Sequence, residues 1–298
     1  MAQSEMIKPE GPWLLHVPFV AAPNLRFTEE QTNTVAECTI YLKPDSAPYS
    51  CVVIESLATV DEARKRFSDV RRAMLATSLM IGCGIRIKDD VKVFEDDAAQ
   101  LPSEADQPFI CRQERSLARL VINIGEPEFA PNRVLADIIQ GFKIGLTSSF
   151  ALDALRDDRV ALACDLYTDS WFEKSVATRF ISLIGVLEVL KDHDPVSPVV
   201  IQLVDDWLGQ LHHLEAAETD SLSGRLRQMK EISIGRGIGR VVSRHLGQDR
   251  AREVQGLYSI RSKLVHDGKR PADLEDELRR TQYIVRELLI QILQAGSR

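Results

Sequence analysis

The sequence lacks the features that mark a secreted or membrane protein. No apolar run approaches the roughly 18–20 residues that cross a bilayer. The N-terminal residues 1–6 have no basic segment followed by an apolar one, which is the pattern of a secretion signal. We therefore expect a cytoplasmic protein with no membrane association.

The cysteines and histidines form no recognisable metal or redox pattern. No two of the five cysteines are spaced as C-x-x-C, the spacing typical of zinc sites and redox motifs. The adjacent His212 and His213 would point about 100° apart on a helix and would not share a face. We expect no metal, no cofactor, and reduced, mostly buried thiols. The cysteines are Cys38, Cys51, Cys83, Cys111 and Cys164.

Positive charge is scarce overall but locally concentrated. The 298-residue chain has a net charge of −7, which argues against a protein that coats nucleic acid without specificity. Residues 221–270 nevertheless carry a balance of +8, so the remainder carries −15. This distribution fits either a focused site for an anion or a solvated helix face beside acidic neighbours.

The first half of the chain contains β-strand patterns. Residues 13–20 are predicted to form a strand, and Pro18 favours an edge position for it. Residues 35–42 and 49–57 are also rich in β-forming residues, and the turn-forming segment 43–48 separates them.

A helix is predicted after these strands. Thr59 is a candidate N-cap with Glu62 as its capping-box partner, and apolar residues then recur at helical spacing until the glycines at 82–84. Strands are predicted at 85–87 and at 109–124. These elements indicate a small α/β domain, whose role the sequence does not reveal.

From about residue 131 the chain is predicted to be almost entirely helical. The fold class is therefore α+β: an α/β domain over residues 1–130 followed by an all-α bundle over 131–298. Short connections between the helices predict an antiparallel arrangement. The predicted helices are 150–167, 170–192, 199–217, 222–246, 251–266 and 272–293.

The glycine-rich segment 235–240 has the sequence Gly-Arg-Gly-Ile-Gly-Arg. It lacks the G-x-G-x-x-G spacing and has no strand before it, so it is not a dinucleotide-binding loop. We interpret it as a loosened helix or a turn within the predicted helix 222–246.

Arg261 and His266 are the strongest candidates for chemistry. They lie five positions apart near the end of a predicted helix that stops at Asp267 and Gly268. A guanidinium binds phosphate, and an imidazole transfers protons near neutral pH. Five residues place the two side chains about 140° apart around the helix, so they do not share a face.

Three segments of the C-terminal half together resemble the HEPN domains, and most closely the Apea-like HEPN group. They are residues 179–190 with their Leu-Glu-x-Leu ending, residues 257–268 with Tyr258, Arg261 and His266, and the closing helix 274–293. The resemblance covers residues 150–298, about half of the chain. It implies a helical bundle that forms homodimers.

The same resemblance implies a metal-independent endoribonuclease with Arg261 and His266 at its centre, used as an effector in phage defence or stress. RNA would be the partner, and Lys263, Lys269 and Arg270 are suited to contacts with backbone phosphates. Metal-free cleavage needs one group to take the 2′ proton and another to protonate the leaving oxygen. A dimer would supply two copies of each residue across one cleft.

Other interpretations remain open. Ser262 follows the arginine where active HEPN nucleases often carry Asn, Asp or His, so a non-catalytic RNA-binding, nucleotide-binding or dimerisation module is the main alternative. In that case Arg261 pairs with Glu188 to hold the bundle, Tyr258 packs in the core and His266 caps the helix. A third hypothesis makes Tyr258 or a neighbour the target of a nucleotidyltransferase.

Overall fold

The computed structural model divides the chain into two compact units, one ending at Asp153 and the other beginning at Ala154. The first unit contains a β-sheet and the second is helical, so the predicted mixed α+β class is confirmed at this level. The structure describes residues 12–22, 31–42, 49–94, 107–112, 133–147, 154–211 and 216–295.

The N-terminal unit is built on a sheet of seven strands in the order β2-β3-β4-β1-β7-β6, with β5 paired to β1. The strand pairs are antiparallel except for β6 and β7, which are parallel. The strands are β1 (Trp13–Ala21), β2 (Gln31–Val35), β3 (Cys38–Leu42), β4 (Ser50–Leu57), β5 (Ile85–Arg86), β6 (Lys92–Phe94) and β7 (Phe109–Arg112).

Strand β1 lies inside the sheet, so the prediction that Pro18 marks an edge strand is wrong. On one side β1 pairs with β4, and Pro18 lies opposite Cys51. On the other side, β7 pairs with residues 13–16 and β5 with residues 20–21. Residues 17–19 therefore have no strand partner on that side among the described residues. A proline is tolerated there because it removes no ladder hydrogen bond from that gap.

The predicted β segment 35–42 contains a turn. Val35 pairs with Cys38, so only Ala36 and Glu37 connect β2 to β3. Ala36 adopts a φ of 52°, the left-handed conformation that tight hairpins with right-handed strand twist require. The segment thus supplies the end of one strand and the whole of the next.

Two helices cover one face of the sheet. Helix α1 (Val60–Ile81) begins as predicted, with the Thr59 hydroxyl accepting from the Glu62 amide at 3.1 Å. It ends at Gly82, whose φ of 67° closes the helix in the left-handed conformation. Helix α2 (Arg133–Thr147) belongs to this unit, although the sequence analysis assigned residues from 131 onward to the bundle.

Glycines let α2 approach α1 closely. A Cβ atom on Gly145 would lie 2.6 Å from the Ala73 Cα atom, which is too close for two carbon atoms. The apolar core of the unit lies between these helices and the sheet. Its fully buried members include Val17, Ile40, Val52, Met74 and Phe142.

The second unit contains seven helices in its described part. They are α3 (Asp158–Ser170), α4 (Val176–Leu190), α5 (Pro198–Gln210), α6 (Ala216–Gln228), α7 (Ile234–Leu246), α8 (Gln248–His266) and α9 (Leu274–Ala295). The predicted helix 222–246 is in fact two helices, because the chain leaves the helical conformation between residues 229 and 233.

Helix α4 is the central helix of this unit and packs against α3, α7, α8 and α9. Its apolar residues recur at a spacing of three and four, and Phe180, Leu183, Ile184 and Leu187 are fully buried. The sequence analysis began this helix at Ser170, but it begins at Val176, where the Ser175 hydroxyl accepts from the Thr178 amide.

All five cysteines are buried and free, which confirms the expectation of buried thiols. Among the described helices, none is both long and apolar enough to cross a lipid bilayer. The described residues also contain no group of three or more histidine, cysteine or acidic side chains that could hold a metal ion. The adjacent His212 and His213 lie outside the described residues, as do most of the predicted strand 109–124 and the start of the predicted helix 150–167.

Candidate functional site

The end of helix α8 carries the residues that the sequence analysis selected. The helix ends at His266, and the Asp267 amide donates to the Lys263 carbonyl at 3.0 Å. Gly268 then adopts a φ of 66°, and the Lys269 amide returns to the same carbonyl at 3.3 Å. This is the glycine-terminated helix end that residues 267–268 predicted.

Arg261 faces helix α4 and contacts Glu188. Its Nη2 atom donates to Glu188 Oε2 at 3.4 Å and lies 3.3 Å from Oε1. The side chains are 22% and 24% exposed, so most of the pair is removed from water. Arg261 Nε and Glu188 Oε1 are buried without a hydrogen-bond partner in the described part of the chain. The Arg261–Glu188 pair is therefore present, but its contacts are long, and each side chain keeps one atom that makes no hydrogen bond.

Tyr258 lies next to this pair and has a packing role. Burial raises the pKa of its hydroxyl, the negative charge of Glu188 raises it further, and Arg261 opposes both effects. Its ring also lies against helix α7, because a Cβ atom on Gly235 would be 3.3 Å from the Tyr258 Cδ1 atom. The hydroxyl is therefore protonated at neutral pH, as expected of a partly buried tyrosine.

His266 has a different environment from Arg261. Its side chain is exposed, and no hydrogen bond or ion pair engages it within the described residues. The geometry of the helix separates it from Arg261 by about 140°, so one copy of the chain does not present both groups to the same phosphate. The structure therefore leaves the two residues of the motif on different sides of α8.

Three exposed cations surround His266 in the sequence. Lys263 and Arg270 have no ion-pair partner among the described residues, and Lys269 lies 4.0 Å from the Asp267 carboxylate. All three side chains are exposed, so they retain access to an anion from solvent. The end of α8, residues 263–270, is thus a positively charged terminus that includes His266.

Elsewhere the basic segment 221–270 is largely neutralised. Five of its cations pair with acidic residues that lie outside the segment, so the excess of positive charge counted along the sequence overstates the charge on the surface. The pairs are Lys230–Asp205, Arg240–Asp194, Arg244–Asp192, Arg250–Glu287 and Arg261–Glu188. Of the two interpretations, the helix face beside acidic neighbours describes Arg240 and Arg244 of α7, and the cations at the end of α8 remain accessible to an anion.

The glycine-rich segment 235–240 lies inside helix α7, so its interpretation as a loosened helix or turn is wrong. The glycines allow close packing instead. A Cβ atom on Gly237 would lie 2.6 Å from the Asp192 carbonyl oxygen, and one on Gly239 would lie 2.9 Å from Gln255 Nε2. Helix propensity predicts a break here, but the tertiary contacts require residues without side chains.

Sequence reasoning missed a second cationic residue, Arg179. Its guanidinium lies 4.2 Å from the centre of the Trp171 ring. The Gln282 amide oxygen, in its hydrogen-bonding orientation, accepts from Arg179 Nη2 at 2.8 Å and Nε at 3.0 Å. Burial lowers the pKa of Arg179. No local signal identifies this cluster, because Gln282 lies on α9, about a hundred residues after Trp171 and Arg179 in the sequence.

Three of the buried cysteines offer no alternative nucleophile. Burial raises the pKa of Cys83 and of Cys164 to about 12, and that of Cys38 to about 11. A thiol with such a pKa is protonated at neutral pH, whereas the thiolate is the reactive form.

Comparisons of this chain with protein-family models, with curated proteins and with solved structures found no match. The interpretation of the end of α8 therefore depends on its residues and geometry.

Proposed function

We propose that the helical unit acts on RNA as a HEPN-like, metal-independent endoribonuclease, with His266 as a proton-transfer group. The main support for this proposal is that the His266 side chain is exposed and makes no hydrogen bond or ion pair within the described residues. It is flanked by Lys263 and Arg270, two exposed cations without an ion-pair partner in the same part of the chain. An imidazole among free cations suits chemistry at a phosphodiester.

The reaction needs no group beyond side chains and the RNA itself. The 2′ oxygen attacks phosphorus and forms a new P–O bond while the bond to the 5′ oxygen breaks. A base removes the 2′ proton, and an acid returns a proton to the leaving 5′ oxygen. His266, exposed at the end of α8, is the group that would supply the proton to the leaving oxygen.

The positions of Arg261 and His266 require a second copy for the complete reaction. Negative charge develops on the phosphoryl oxygens, where a guanidinium binds well. Because Arg261 and His266 of one helix face different directions, the arginine of one copy would act with the histidine of the other. The contact of Arg261 with Glu188 is long, at 3.4 Å, so a phosphate oxygen of RNA can compete with Glu188 for the guanidinium.

The test is cleavage of a labelled single-stranded RNA by the full chain in the presence of a chelator. We expect cleavage by the wild type, and its loss in His266→Ala with an unchanged helical circular dichroism spectrum. His193→Ala, which removes another exposed histidine of the same unit, is the control and should cleave normally. An inactive wild type, or an active His266→Ala variant, would contradict the proposal.

A non-catalytic RNA-binding module is the second candidate, and the Arg261–Glu188 contact favours it. In this case Arg261 serves the packing of α8 on α4, and the exposed cations alone bind RNA. The full chain would then bind RNA without cutting it, and Lys263→Ala with Arg270→Ala would weaken binding and flatten its salt dependence. Arg261→Ala would lower the melting temperature while leaving that salt dependence unchanged.

In the biological role that we propose, the nuclease is an effector of phage defence or of a stress response. The N-terminal unit would respond to the trigger and control the helical unit. Deleting residues 1–153 should then raise RNA cleavage above that of the full chain. Equal cleavage by the two forms would remove the regulatory part of the proposal and leave the nuclease part intact.

A further inference from the structure

Helices α7 and α8 form a tight antiparallel hairpin. A single residue, Gly247, connects the two helices. A Cβ atom on Gly235 would lie 3.3 Å from the Tyr258 Cδ1 atom, and one on Gly239 would lie 2.9 Å from Gln255 Nε2. In both contacts the two residues are about equally far from Gly247 along the chain, as an antiparallel pair requires. These contacts therefore fix which residues of α7 and α8 lie at the same level.

One side of this hairpin carries cations from both helices. On α7, Arg236 lies about 80° around the helix from the line of glycines that faces α8. On α8, Ser259, Lys263 and His266 lie about 50–110° in the same rotational sense from the line of residues 255 and 258 that faces α7. Because the helices are antiparallel, equal rotations about their opposite axes point to the same side. All four side chains are exposed, which agrees with this placement.

The segments that build this side of the hairpin contain no acidic residue. Neither residues 232–246 nor residues 255–266 include an aspartate or a glutamate. Arg236, Lys263 and His266 also have no ion-pair partner among the residues that the structure describes. Arg240, one turn after Arg236, differs because the Asp194 carboxylate pairs with it. Exposed cations without a counter-charge attract a polyanion.

Gly256 gives a second indication that a ligand approaches this side. It is exposed in the middle of α8, two turns before Lys263 and only about 20° from it around the helix. Glycine in a helix interior is destabilising relative to alanine. A Cβ atom on Gly256 would meet nothing within 4 Å, so packing between the helices does not require a glycine there. A residue without a side chain does, however, let a ligand lie close to the helix backbone.

We propose that this side of the hairpin binds single-stranded RNA through its phosphates and leads the strand to His266. We call it the α7–α8 face, and it consists of Arg236, Gly256, Ser259, Lys263 and His266. Arg236 and Lys263 bind phosphates, and the Ser259 hydroxyl donates to a phosphate oxygen. The choice of RNA as the anion rests on the proposed function, whereas the place where it binds follows from the geometry of the hairpin.

The length of the α7–α8 face favours a single strand over a duplex. Arg236 is level with residue 258, so it is separated from His266 by about eight residues of α8, or about 12 Å along the helix axis. In a stacked nucleic-acid strand, successive phosphates advance about 3.4 Å along the axis. The face therefore covers about three or four nucleotides. Domains that recognise double-stranded RNA by its shape contact about 16 base pairs, which is far more than this face offers.

The test is binding of a fluorescent 2′-O-methyl RNA strand by the full chain, measured by fluorescence anisotropy at several salt concentrations. This probe keeps the phosphates but lacks the hydroxyl that attacks phosphorus, so binding is measured without cleavage. Arg236→Ala should weaken binding by about threefold or more, and should reduce the slope of log affinity against log salt by about 0.7. Lys174→Ala is the matched control and should bind like the wild type, because Lys174 is an exposed cation at the opposite end of α4 from Glu188.

A pair of variants at Gly256 tests where the strand lies. Both Gly256→Glu and Gly256→Gln should fold, because a Cβ atom there meets nothing within 4 Å, and their melting temperatures check this. The carboxylate of Gly256→Glu should weaken binding of the probe by about tenfold or more, since it repels the phosphates. The amide of Gly256→Gln has nearly the same size but no charge, so this variant should lose clearly less.

Binding and cleavage can fail separately. If the wild type binds the probe with the expected dependence on Arg236 and Gly256 but cuts no unmodified RNA, the nuclease proposal fails and this inference stands. If Arg236→Ala and Gly256→Glu bind like Lys174→Ala, the inference is overturned even where RNA is cut. A wild type that does not bind the probe, or that binds the probe annealed to its complement as tightly as the single strand, overturns it as well.

Discussion

At the scale of single residues, the Arg261–Glu188 pair decides between two roles for the most distinctive motif of the chain. The pair is mostly removed from water, yet its contacts of 3.3 and 3.4 Å are long for a charge-assisted hydrogen bond. A contact of this quality contributes modestly to stability while keeping Arg261 in position. Because the Nε atom is buried, a phosphate that binds Arg261 has to replace Glu188 at the Nη2 atom.

We expect Arg261→Met to lower the free energy of unfolding by about 1–3 kcal/mol, because it leaves the Glu188 carboxylate partly buried without a counter-charge. The double variant Arg261→Met with Glu188→Leu should lose less than the single variant, since no unpaired charge remains. Urea denaturation of the single and double variants measures both effects. Losses that add independently would show that the two side chains do not interact.

His245 gives the stability of the protein a dependence on pH. Burial is the main cause that lowers its pKa, Arg244 lowers it further, and Asp192 acts in the opposite direction. The folded protein therefore favours the neutral imidazole. Its contribution to stability is present above the ordinary histidine pKa of about 6.5 and is lost as the pH falls through the lower folded-state value.

In His245→Gln, we expect the free energy of unfolding to decrease less steeply than in the wild type as the pH falls below about 6.5. Above that pH, the two proteins should show the same pH dependence. Denaturant titrations at a series of pH values measure this difference between the variant and the wild type. An identical pH dependence in the two proteins would show that His245 does not titrate differently in the folded state.

At the scale of elements, helix α7 shows glycines used for close approach. We expect Gly237→Ala to lower the unfolding free energy by about 1–3 kcal/mol, because the added Cβ atom would lie 2.6 Å from the Asp192 carbonyl oxygen. Gly185→Ala in helix α4 is the control, since a Cβ atom there meets nothing within 4 Å. That variant should gain about 0.5–1 kcal/mol from helix propensity. Thermal unfolding of the two variants should therefore shift in opposite directions.

Elements with local signals were predictable, and elements set by distant contacts were not. Helix α1 carries its own cap at Thr59 and its own stop at Gly82, so its bounds followed from the sequence. Helix α4 was predicted to start too early, because apolar residues continue into the connection before Ser175. Strand β1 was predicted correctly, but its predicted edge position was wrong because a gap between two neighbouring strands, which no local pattern shows, accommodates Pro18.

At the candidate site too, features with a local sequence signal were predictable and features set by distant contacts were not. The end of α8 at His266 followed from the Asp-Gly pair that comes after it. The charge of the surrounding surface did not, because the acidic partners of Arg240 and Arg244 lie about fifty residues earlier in the sequence. The net charge counted along a segment therefore differs from the charge of the folded surface, because the surface charge depends on which helices pack together.

At the scale of the whole molecule, each unit has an apolar core of its own. In the helical unit the core is centred on α4, and α3, α7, α8 and α9 pack around it. We expect a fragment of residues 154–298 to fold alone into a helical protein that unfolds cooperatively on heating. Circular dichroism of this fragment is the measurement, and a fragment without a cooperative transition would show that the core of the helical unit depends on the first unit.

Arg159 links the start of helix α3 to the end of helix α4. From helix α3 it donates to the last carbonyls of α4, with Nε 3.0 Å from the Val189 oxygen and Nη2 2.5 Å from the Lys191 oxygen. The chain leaves α4 at that point and continues through Asp194 towards helix α5. A side chain thirty residues earlier thus satisfies the carbonyls at which α4 ends, and Arg159→Ala would leave both of them without this donor.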